Sequence, residues 1–214
     1  MKSVLCFGDS NTFGTAPMPA LGQELRWPFD QRWPGVLQGE LQGELGSGWR
    51  VIEEGLPGRT IGRDDPVEGA DRNALRYLPA CLQSHRPLDA VVFMLGTNDL
   101  KARFHLGAQD IAHGVHNLID AVLVNSRPEA PAPRILVISP APVLERGCLA
   151  GFFTGAEAQG PRVAGAMAEV CRSRGVDHLD ASRHIQVSPM DGVHLDVDAH
   201  HTLGRLVARW LLAA

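Results

Sequence analysis

The sequence has no long apolar run and no cluster of basic residues. None of its apolar stretches approaches the length of a membrane span, and the stretch after Met1 and Lys2 is too short for the central region of a signal peptide. With a net charge of -4 at pH 7, nothing in the sequence favours binding to nucleic acid or to an anionic membrane. The expected partners are therefore small neutral molecules, and the expected compartment is the cytoplasm.

Cysteine is scarce, and its spacing matches neither a CxxC redox motif nor a cysteine-rich zinc site. The four cysteines, Cys6, Cys81, Cys148 and Cys171, form no CxxC pair and no zinc-ligand spacing. Because Cys6 lies in an apolar strand candidate, we expect reduced and mostly buried thiols. This pattern agrees with a cytoplasmic protein.

The sequence does contain a repeated alternation of short apolar runs and longer stretches suited to helices. Its 214 residues are 44% hydrophobic and 21% charged, which favours one globular domain over residues 1–214. Strands are expected at residues 3–7, 50–53, 90–95, 134–139 and 176–179, and helices at 33–45, 75–85, 108–125, 156–174 and 199–212. Because the middle strand candidates are apolar throughout, the predicted fold is α/β, a three-layer α/β/α sandwich around a five-stranded parallel sheet.

Two segments do not fit this alternation. Residues 38–45 read QGELQGEL, a local duplication to which we assign no function. Residues 15–31 contain three prolines and the apolar side chains of Leu21, Leu25 and Trp27, so a long irregular loop is expected beside the end of the first strand. Such a loop is expected to cover a site or to meet another subunit.

The first strand candidate leads directly into Gly8, Asp9, Ser10 and Asn11. A serine thus lies at the edge where a parallel α/β sheet carries its chemistry, although these residue types are also common in ordinary turns. Asp9 is expected to order this turn and not to react. The catalytic interpretation rests on three further segments, at residues 55–59, 96–99 and 191–194.

A serine nucleophile needs a base, and histidine is the usual one because its pKa lies near working pH. Among nine histidines, His194 is the best candidate, because Asp191 lies three residues earlier and can bond the far nitrogen of the ring. Alone, this segment would be interpreted as a loop before a helix. With Ser10 at the end of the first strand, we predict that Ser10 is the nucleophile, His194 the base and Asp191 the group that orients the base.

Two other residues are candidates for stabilising a negatively charged oxygen. Asn98 follows an apolar strand candidate, so its carboxamide can donate a hydrogen bond at the same edge of the sheet. Gly58 lacks a side chain, so its N–H can approach a substrate oxygen closely. Each has an ordinary alternative, since Asn98 suits a helix cap and the pair Pro57 and Gly58 is common in turns.

The remaining polar candidates receive simpler interpretations. His200 and His201, taken with His194, suggest a zinc site, but neighbouring histidines on a helix point in different directions and no cysteine or carboxylate cluster completes a ligand set. A solvated or helix-capping role is expected for the pair. Arg59 and Lys101 flank the predicted oxyanion groups and are expected to be solvated at the surface.

The four segments, in this order and at these strand ends, resemble the SGNH (GDSL-type) hydrolase superfamily, named for residues that correspond here to Ser10, Gly58, Asn98 and His194. The segments RWPGVL at 32–37, VIEEGL at 51–56 and MLGTND at 94–99 resemble its bacterial arylesterase and acyltransferase branch. The resemblance implies a flavodoxin-like fold, an acyl-enzyme on the serine and an oxyanion hole formed by the N–H groups of Ser10 and Gly58 and the Asn98 side chain. It implies no metal and no organic cofactor.

The sequence departs from the usual pattern of that branch at three positions. Asn11 stands where leucine is usual after the serine, and Phe13 and Thr15 stand where some acyltransferases carry bulkier tryptophans. The change at Asn11 is expected to alter packing and to leave the mechanism intact.

The predicted function is hydrolysis of short-chain, acetyl-type esters of aryl alcohols or carbohydrates. Two alternatives stay open: an acyltransferase that passes the acyl group to an alcohol, sugar or peroxide, and a non-catalytic binding module of the same architecture. The resemblance also suggests a homo-oligomer. Residues 15–31 and 142–157 are expected either to shape the acyl pocket or contact a neighbouring subunit, or only to pack within the molecule.

Overall fold

The computed structural model describes residues 1–43, 48–126 and 131–213. Its sheet consists of five parallel strands in the order β2-β1-β3-β4-β5. Their bounds are Lys2–Gly8 for β1, Trp49–Gly55 for β2, Ala90–Met94 for β3, Arg134–Ser139 for β4 and Asp177–Asp180 for β5. The strand order reverses direction between β1 and β3, and ligands of open α/β sheets bind at such a switch point.

Helices cover both faces of the sheet. Their bounds are Ser10–Phe13 for α1, Trp33–Gly43 for α2, Ala74–Ser84 for α3, Ala108–Val124 for α4, Ala156–Arg174 for α5 and Val197–Leu212 for α6. One core cluster packs α3, α4 and α5 against the sheet, and a second packs α2 and α6 against the opposite face. The predicted three-layer α/β/α architecture is therefore confirmed.

The central strand β1 shows why its run is apolar throughout. Successive side chains of a strand point to opposite faces, so Leu5 and Phe7 join the cluster under α3 to α5, whereas Val4 and Cys6 join the cluster under α2 and α6. All four residues are fully buried. A strand covered on both faces cannot alternate apolar with polar residues, which is why the sequence indicated a parallel sheet.

Most predicted elements agree with the observed ones within one or two residues. Helix α5 has the expected bounds, and α6 begins two residues before the expected position 199, with Asp196 at the N-cap position. The short helix α1 was not predicted. Of the QGEL duplication, residues 38–43 lie in α2, and its last two residues, together with the predicted end of that helix at 45, fall outside the described residues.

Residues 15–31 form an irregular loop, as expected. A bridge between Thr15 and Arg26 closes it, and it contains one short 3-10 turn, Phe29–Gln31. Leu21, Leu25 and Phe29 are exposed on it. None of the helices in the described ranges is long and apolar enough to cross a membrane.

Candidate active site

The residues that follow β1 and β3 lie at the same edge of the sheet. Gly8 at the end of β1 pairs with Met94 at the end of β3, so the chain leaves both strands at the same level. Ser10 is the first residue of α1, and Asp9 precedes it as the N-cap, accepting the Asn11 N–H through Oδ1 at 3.0 Å. The Asp9 carboxylate therefore orders the turn around Ser10, as expected.

The loop before α6 brings a histidine and an aspartate to Ser10. His194 Nε2 lies 3.1 Å from Ser10 Oγ, and His194 Nδ1 lies 2.6 Å from Asp191 Oδ2. All three side chains are buried, and the serine and histidine belong to opposite ends of the chain. This is the relative geometry of a nucleophile, a general base and an orienting carboxylate.

Asp191 is held as an anion. Burial raises the pKa of its carboxyl, but the bond and charge of His194 and the N–H groups of His194 and Met18 outweigh burial and lower the pKa to about 2. Its Oδ1 accepts the N–H groups of Val193 and His194, each at 3.0 Å, and its Oδ2 accepts the Met18 N–H at 2.8 Å. An ionised Asp191 requires a proton on His194 Nδ1, which leaves Nε2 free to accept the proton of Ser10.

Asn98 and Gly58 lie beside Ser10 along the same cavity. Asn98 begins a short 3-10 turn after β3, and its Nδ2 donates to the Arg59 carbonyl at 3.1 Å, which fixes the carboxamide relative to the loop that carries Gly58. Gly58 has a φ of +77°, and a Cβ added there would lie 2.0 Å from Glu68 Oε2. The backbone conformation favours glycine at this point, and the Glu68 carboxylate lies close to it.

The cavity over Ser10 is small and has two chemically different walls. Its volume is about 200 Å³, and Leu149, Phe152 and Phe153 form an apolar wall. Glu68 and Lys101 form a polar wall. Sites for drug-sized ligands measure roughly 300–1,000 Å³, so this cavity suits a short acyl group next to a compact polar group.

The geometry can be compared with known proteins. The family model of the GDSL-like lipase/acylhydrolase family matches residues 6–202, which include every candidate site residue. The chain belongs to the GDSL-like lipase/acylhydrolase family. As a member of that family it is a carboxylic ester hydrolase. Among curated proteins, none matches the chain significantly.

Solved structures of GDSL-type esterases are similar along the whole chain. A carbohydrate acetylesterase from Sinorhizobium meliloti is 37% identical with a TM-score of 0.93, covering 100% of this chain and 99% of that one. An aryl esterase from M. smegmatis is 36% identical with a TM-score of 0.92 and the same coverage. A lipase/acylhydrolase from Enterococcus faecalis, 17% identical over 100% of this chain and 96% of its own, has a TM-score of 0.69 and shares the fold.

The structure corrects two expectations about charged residues in this GDSL-family chain. Arg59 is buried, not solvated: it donates through Nη1 to the Gly8 carbonyl at 2.9 Å, and its guanidinium lies 4.2 Å from the centre of the Phe7 ring. Lys101 is also buried and pairs with Glu68 at the polar wall of the cavity. Both expectations were wrong because the Gly8 carbonyl that binds Arg59 and the Glu68 carboxylate that binds Lys101 lie more than 30 residues away in the sequence.

Of the two roles expected for His200, solvated or helix-capping, the structure shows the helix-capping one. It is fully buried, and its Nδ1 accepts the N–H of Trp33 at 3.3 Å. Burial lowers the pKa of His200 to about 3, so it is neutral at pH 7. It thus bonds the first N–H of α2, a helix other than its own, and it is not solvated.

Asn11 is a functional candidate that sequence reasoning treated only as a packing change. Its side-chain Nδ2 donates to the Val193 carbonyl at 3.1 Å, and its Oδ1 accepts the Leu195 N–H at 3.1 Å. These two peptide groups flank His194, so one side chain fixes the backbone on both sides of the candidate base. The presence of asparagine where the GDSL motif usually has leucine indicated that this position is unusual. It could not indicate that the side chain bonds the loop that carries His194.

Two further carboxyls are buried in the segments that follow β1 and β3. Burial raises the pKa of Asp9 to about 6. Burial also raises the pKa of Asp99 to about 7, the Asp9 charge raising it further, although both Asp99 oxygens accept the Ile61 N–H at 3.1 Å. Asp99 thereby ties the end of β3 to the loop that follows Gly58.

Proposed function

We propose that this esterase hydrolyses short-chain, above all acetyl, esters through an acyl-enzyme on Ser10. His194 acts as the base and Asp191 orients it, while the N–H groups of Ser10 and Gly58 and the Asn98 side chain stabilise the oxyanion. The observation that carries the proposal is the chain of contacts from Ser10 Oγ through the His194 ring to Asp191. A binding module would have no need of this arrangement.

The geometry supports a two-step reaction. Ser10 Oγ attacks the ester carbon while His194 Nε2 accepts its proton, and the carbonyl electron pair moves onto the oxygen held by Asn98 and Gly58. When this intermediate collapses, the leaving alkoxide takes the proton from His194 and departs as an alcohol. Water then attacks the acyl-enzyme, gives one proton to His194, and the acid leaves as Ser10 recovers its proton.

The test of the nucleophile uses a reactive ester and a covalent probe. Wild-type protein should hydrolyse p-nitrophenyl acetate and take up one organophosphonate group, which peptide mass spectrometry should find on Ser10. Ser10→Ala should abolish both signals. Ser139→Ala removes another buried serine at a strand end and should retain both. Labelling of a different residue, or full activity of Ser10→Ala, would disprove the assignment.

For the alcohol part of the substrate, we propose an acetylated carbohydrate. Lys101 and Arg103 both contact Glu68 Oε1, while Oε2 stands against Gly58. Sugar hydroxyls could therefore donate to the Glu68 carboxylate next to the scissile bond. A flat aryl alcohol offers no such donors.

Substitution at Glu68 separates these two substrate classes. Glu68→Gln should lower kcat/KM for an acetylated sugar by about 10-fold or more, because hydrogen bonds to charged groups contribute about 1.5–3 kcal/mol. It should change kcat/KM for p-nitrophenyl acetate much less. Asp65→Asn weakens the same ion network through Arg103 and serves as the control, since Asp65 does not line the cavity. Equal losses on both substrates after Glu68→Gln would contradict a carbohydrate preference.

Acyl transfer is a second candidate activity. Its support is the enclosure of Ser10, which is 4% exposed beside Leu149, Phe152 and Phe153 and so has limited access to water. An acyl-enzyme in such a site partitions between water and an added alcohol. Product analysis of a vinyl acetate reaction with a simple alcohol in water measures that partition, and free acetate as the only acyl product would exclude transfer.

We also propose that residues 1–214 form one domain that works in the cytoplasm as a homo-oligomer. The free state of all four cysteines supports a reducing compartment. Leu21, Leu25 and Phe29, exposed along the loop beside the cavity, support a subunit contact there. Light scattering after size-exclusion chromatography tests the assembly, and a monomer at micromolar concentration would contradict it.

A further inference from the structure

A carboxylate, a thiol and an imidazole converge on the face of the molecule where β2 and α3 end. They belong to Glu54, Cys81 and His85, and one donor atom from each lies within 4.8 Å of the other two. Glu54 Oε1 is 2.8 Å from His85 Nε2. Cys81 and His85 are four residues apart at the end of α3, a spacing that places two side chains on one helix face.

An ion pair explains only part of this arrangement. It accounts for the contact between Glu54 and His85 but not for a cysteine sulfur at the same point. Oxygen, nitrogen and sulfur donors together form a ligand set that suits Zn²⁺, which accepts Cys, His and carboxylate ligands at about 2.0–2.3 Å. The mixed set does not suit Mg²⁺ or Ca²⁺, which take oxygen ligands.

We propose that Glu54, Cys81 and His85 bind a zinc ion, with water in the fourth position. The site would join the end of α3 to the end of β2, just before the loop that carries Gly58. Its expected role is to hold this loop in place and not to take part in the reaction at Ser10.

Two of the three side chains are partly exposed, while Cys81 is buried behind them. The side chains of His85 and Glu54 are 23% and 20% exposed, and Glu54 lines an open cavity together with Tyr77 and Arg59. The Tyr77 hydroxyl donates to Glu54 Oε2 at 3.2 Å, which orients the carboxylate and leaves Oε1 toward His85. The positive charge of the neighbouring Arg59 guanidinium would repel a metal ion. Its Nη1, however, donates to the Gly8 carbonyl.

The Cys81 thiol carries a proton that a bound metal ion must displace. Burial, together with the Glu54 charge, raises the pKa of Cys81 to about 12, so the thiol is protonated without metal. Binding as a thiolate must release that proton, and the other charged or titratable groups facing the sulfur are Glu54, His85, Tyr77 and Arg59.

Cobalt titration tests the proposal with a signal that does not depend on esterase activity. Chelator-treated wild-type protein should bind one Co²⁺ with a thiolate-to-cobalt charge-transfer band, and one equivalent of Zn²⁺ should abolish the band. Cys81→Ser should remove it. His85→Ala lies at a part-exposed helix end, where folding is not at risk. It should weaken binding by about tenfold or more, because losing even a group that only orients a metal ligand costs about that much.

Control variants identify the sulfur that binds. Cys171→Ser, at an equally buried cysteine on α5, and Cys148→Ser should both keep the band. Zn²⁺ should also raise the Tm of wild-type protein, and at the same Zn²⁺ concentration it should raise the Tm of His85→Ala less. Absence of the band in wild-type protein, its survival in both Cys81→Ser and His85→Ala, or its loss in Cys148→Ser would overturn the proposal. Hydrolysis by the same samples reports separately on Ser10.

Discussion

Replacing Asn11 with leucine tests whether one side chain positions His194, the proposed base. The substitution removes the bonds to the Val193 carbonyl and the Leu195 N–H and leaves two buried polar groups without these partners. Each such group costs about 1–3 kcal/mol. Burial of the leucine side chain returns about 1.5–3 kcal/mol. The expected net loss is about 1–3 kcal/mol in the free energy of unfolding, measured by urea denaturation.

The effect on activity should exceed what this loss of stability explains. The two lost bonds lie on either side of His194, whose Nε2 must stay close to the 3.1 Å observed from Ser10 Oγ. Because a displacement of about 1 Å can cost about 100-fold in rate, Asn11→Leu should lower kcat by about 10- to 100-fold under conditions where the variant is fully folded. KM should change little, since Asn11 does not line the cavity.

A second buried asparagine provides the matched control. The Asn73 side chain accepts the Leu75 N–H at 3.1 Å and donates to Asp64 Oδ1 at 2.8 Å, at the start of α3. Asn73→Leu should therefore lose stability to a similar extent while keeping most of its kcat. If Asn11→Leu loses stability but retains the wild-type kcat, Asn11 contributes to folding alone and the positioning argument is refuted.

Three further substitutions test the proposed roles by steady-state kinetics or unfolding. Asn98→Ala should lower kcat by about 100- to 1,000-fold as an oxyanion donor is lost, and an unchanged kcat would remove it from the site. Asp191→Asn should lower kcat by about 1,000- to 10,000-fold, because the amide favours the wrong His194 tautomer; a loss below tenfold would contradict this role. The pKa of Asp99 is about 7 when folded and about 3.9 when unfolded, so the stability that its neutral form contributes is complete below pH of about 4 and is lost as pH rises through 7. Asp99→Asn should flatten the decline in unfolding free energy between these pH values, and an unchanged slope would refute the assignment.

The sequence alone was sufficient to predict the sheet and to select Ser10, His194 and Asp191, which the structure places in contact. Strands buried on both faces are apolar throughout, so β1 and β3 were recognisable without tertiary information. Since the carboxyl ends of parallel strands meet at one edge, Ser10 and Asn98 could be placed together in advance. The spacing of three between Asp191 and His194 then indicated an acid and base within one loop.

The sequence was insufficient wherever a residue's role depends on a distant partner. Arg59 can be buried because it donates to backbone carbonyls and its guanidinium packs on the Phe7 ring. His200 can be buried because it accepts an N–H at the N-terminus of another helix. None of these partners is adjacent in the sequence. Arginine is mostly exposed in proteins and histidine is intermediate, so residue type alone did not indicate burial. Asn11 shows the same limit, because the two bonded peptide groups lie more than 180 positions away.

Three aspartates have a common role at the carboxyl edge of the sheet. Beyond the strand ends the backbone has no ladder to satisfy its N–H groups, and buried unpaired groups are costly. Asp9 accepts the N–H of Asn11, Asp99 accepts that of Ile61, and Asp191 accepts N–H groups of its own loop and of Met18. Each of these loops is therefore held by a carboxyl group that accepts N–H groups which the sheet does not bind. Only Asp191 of the three has a lowered pKa, because it alone accepts a hydrogen bond from the His194 ring.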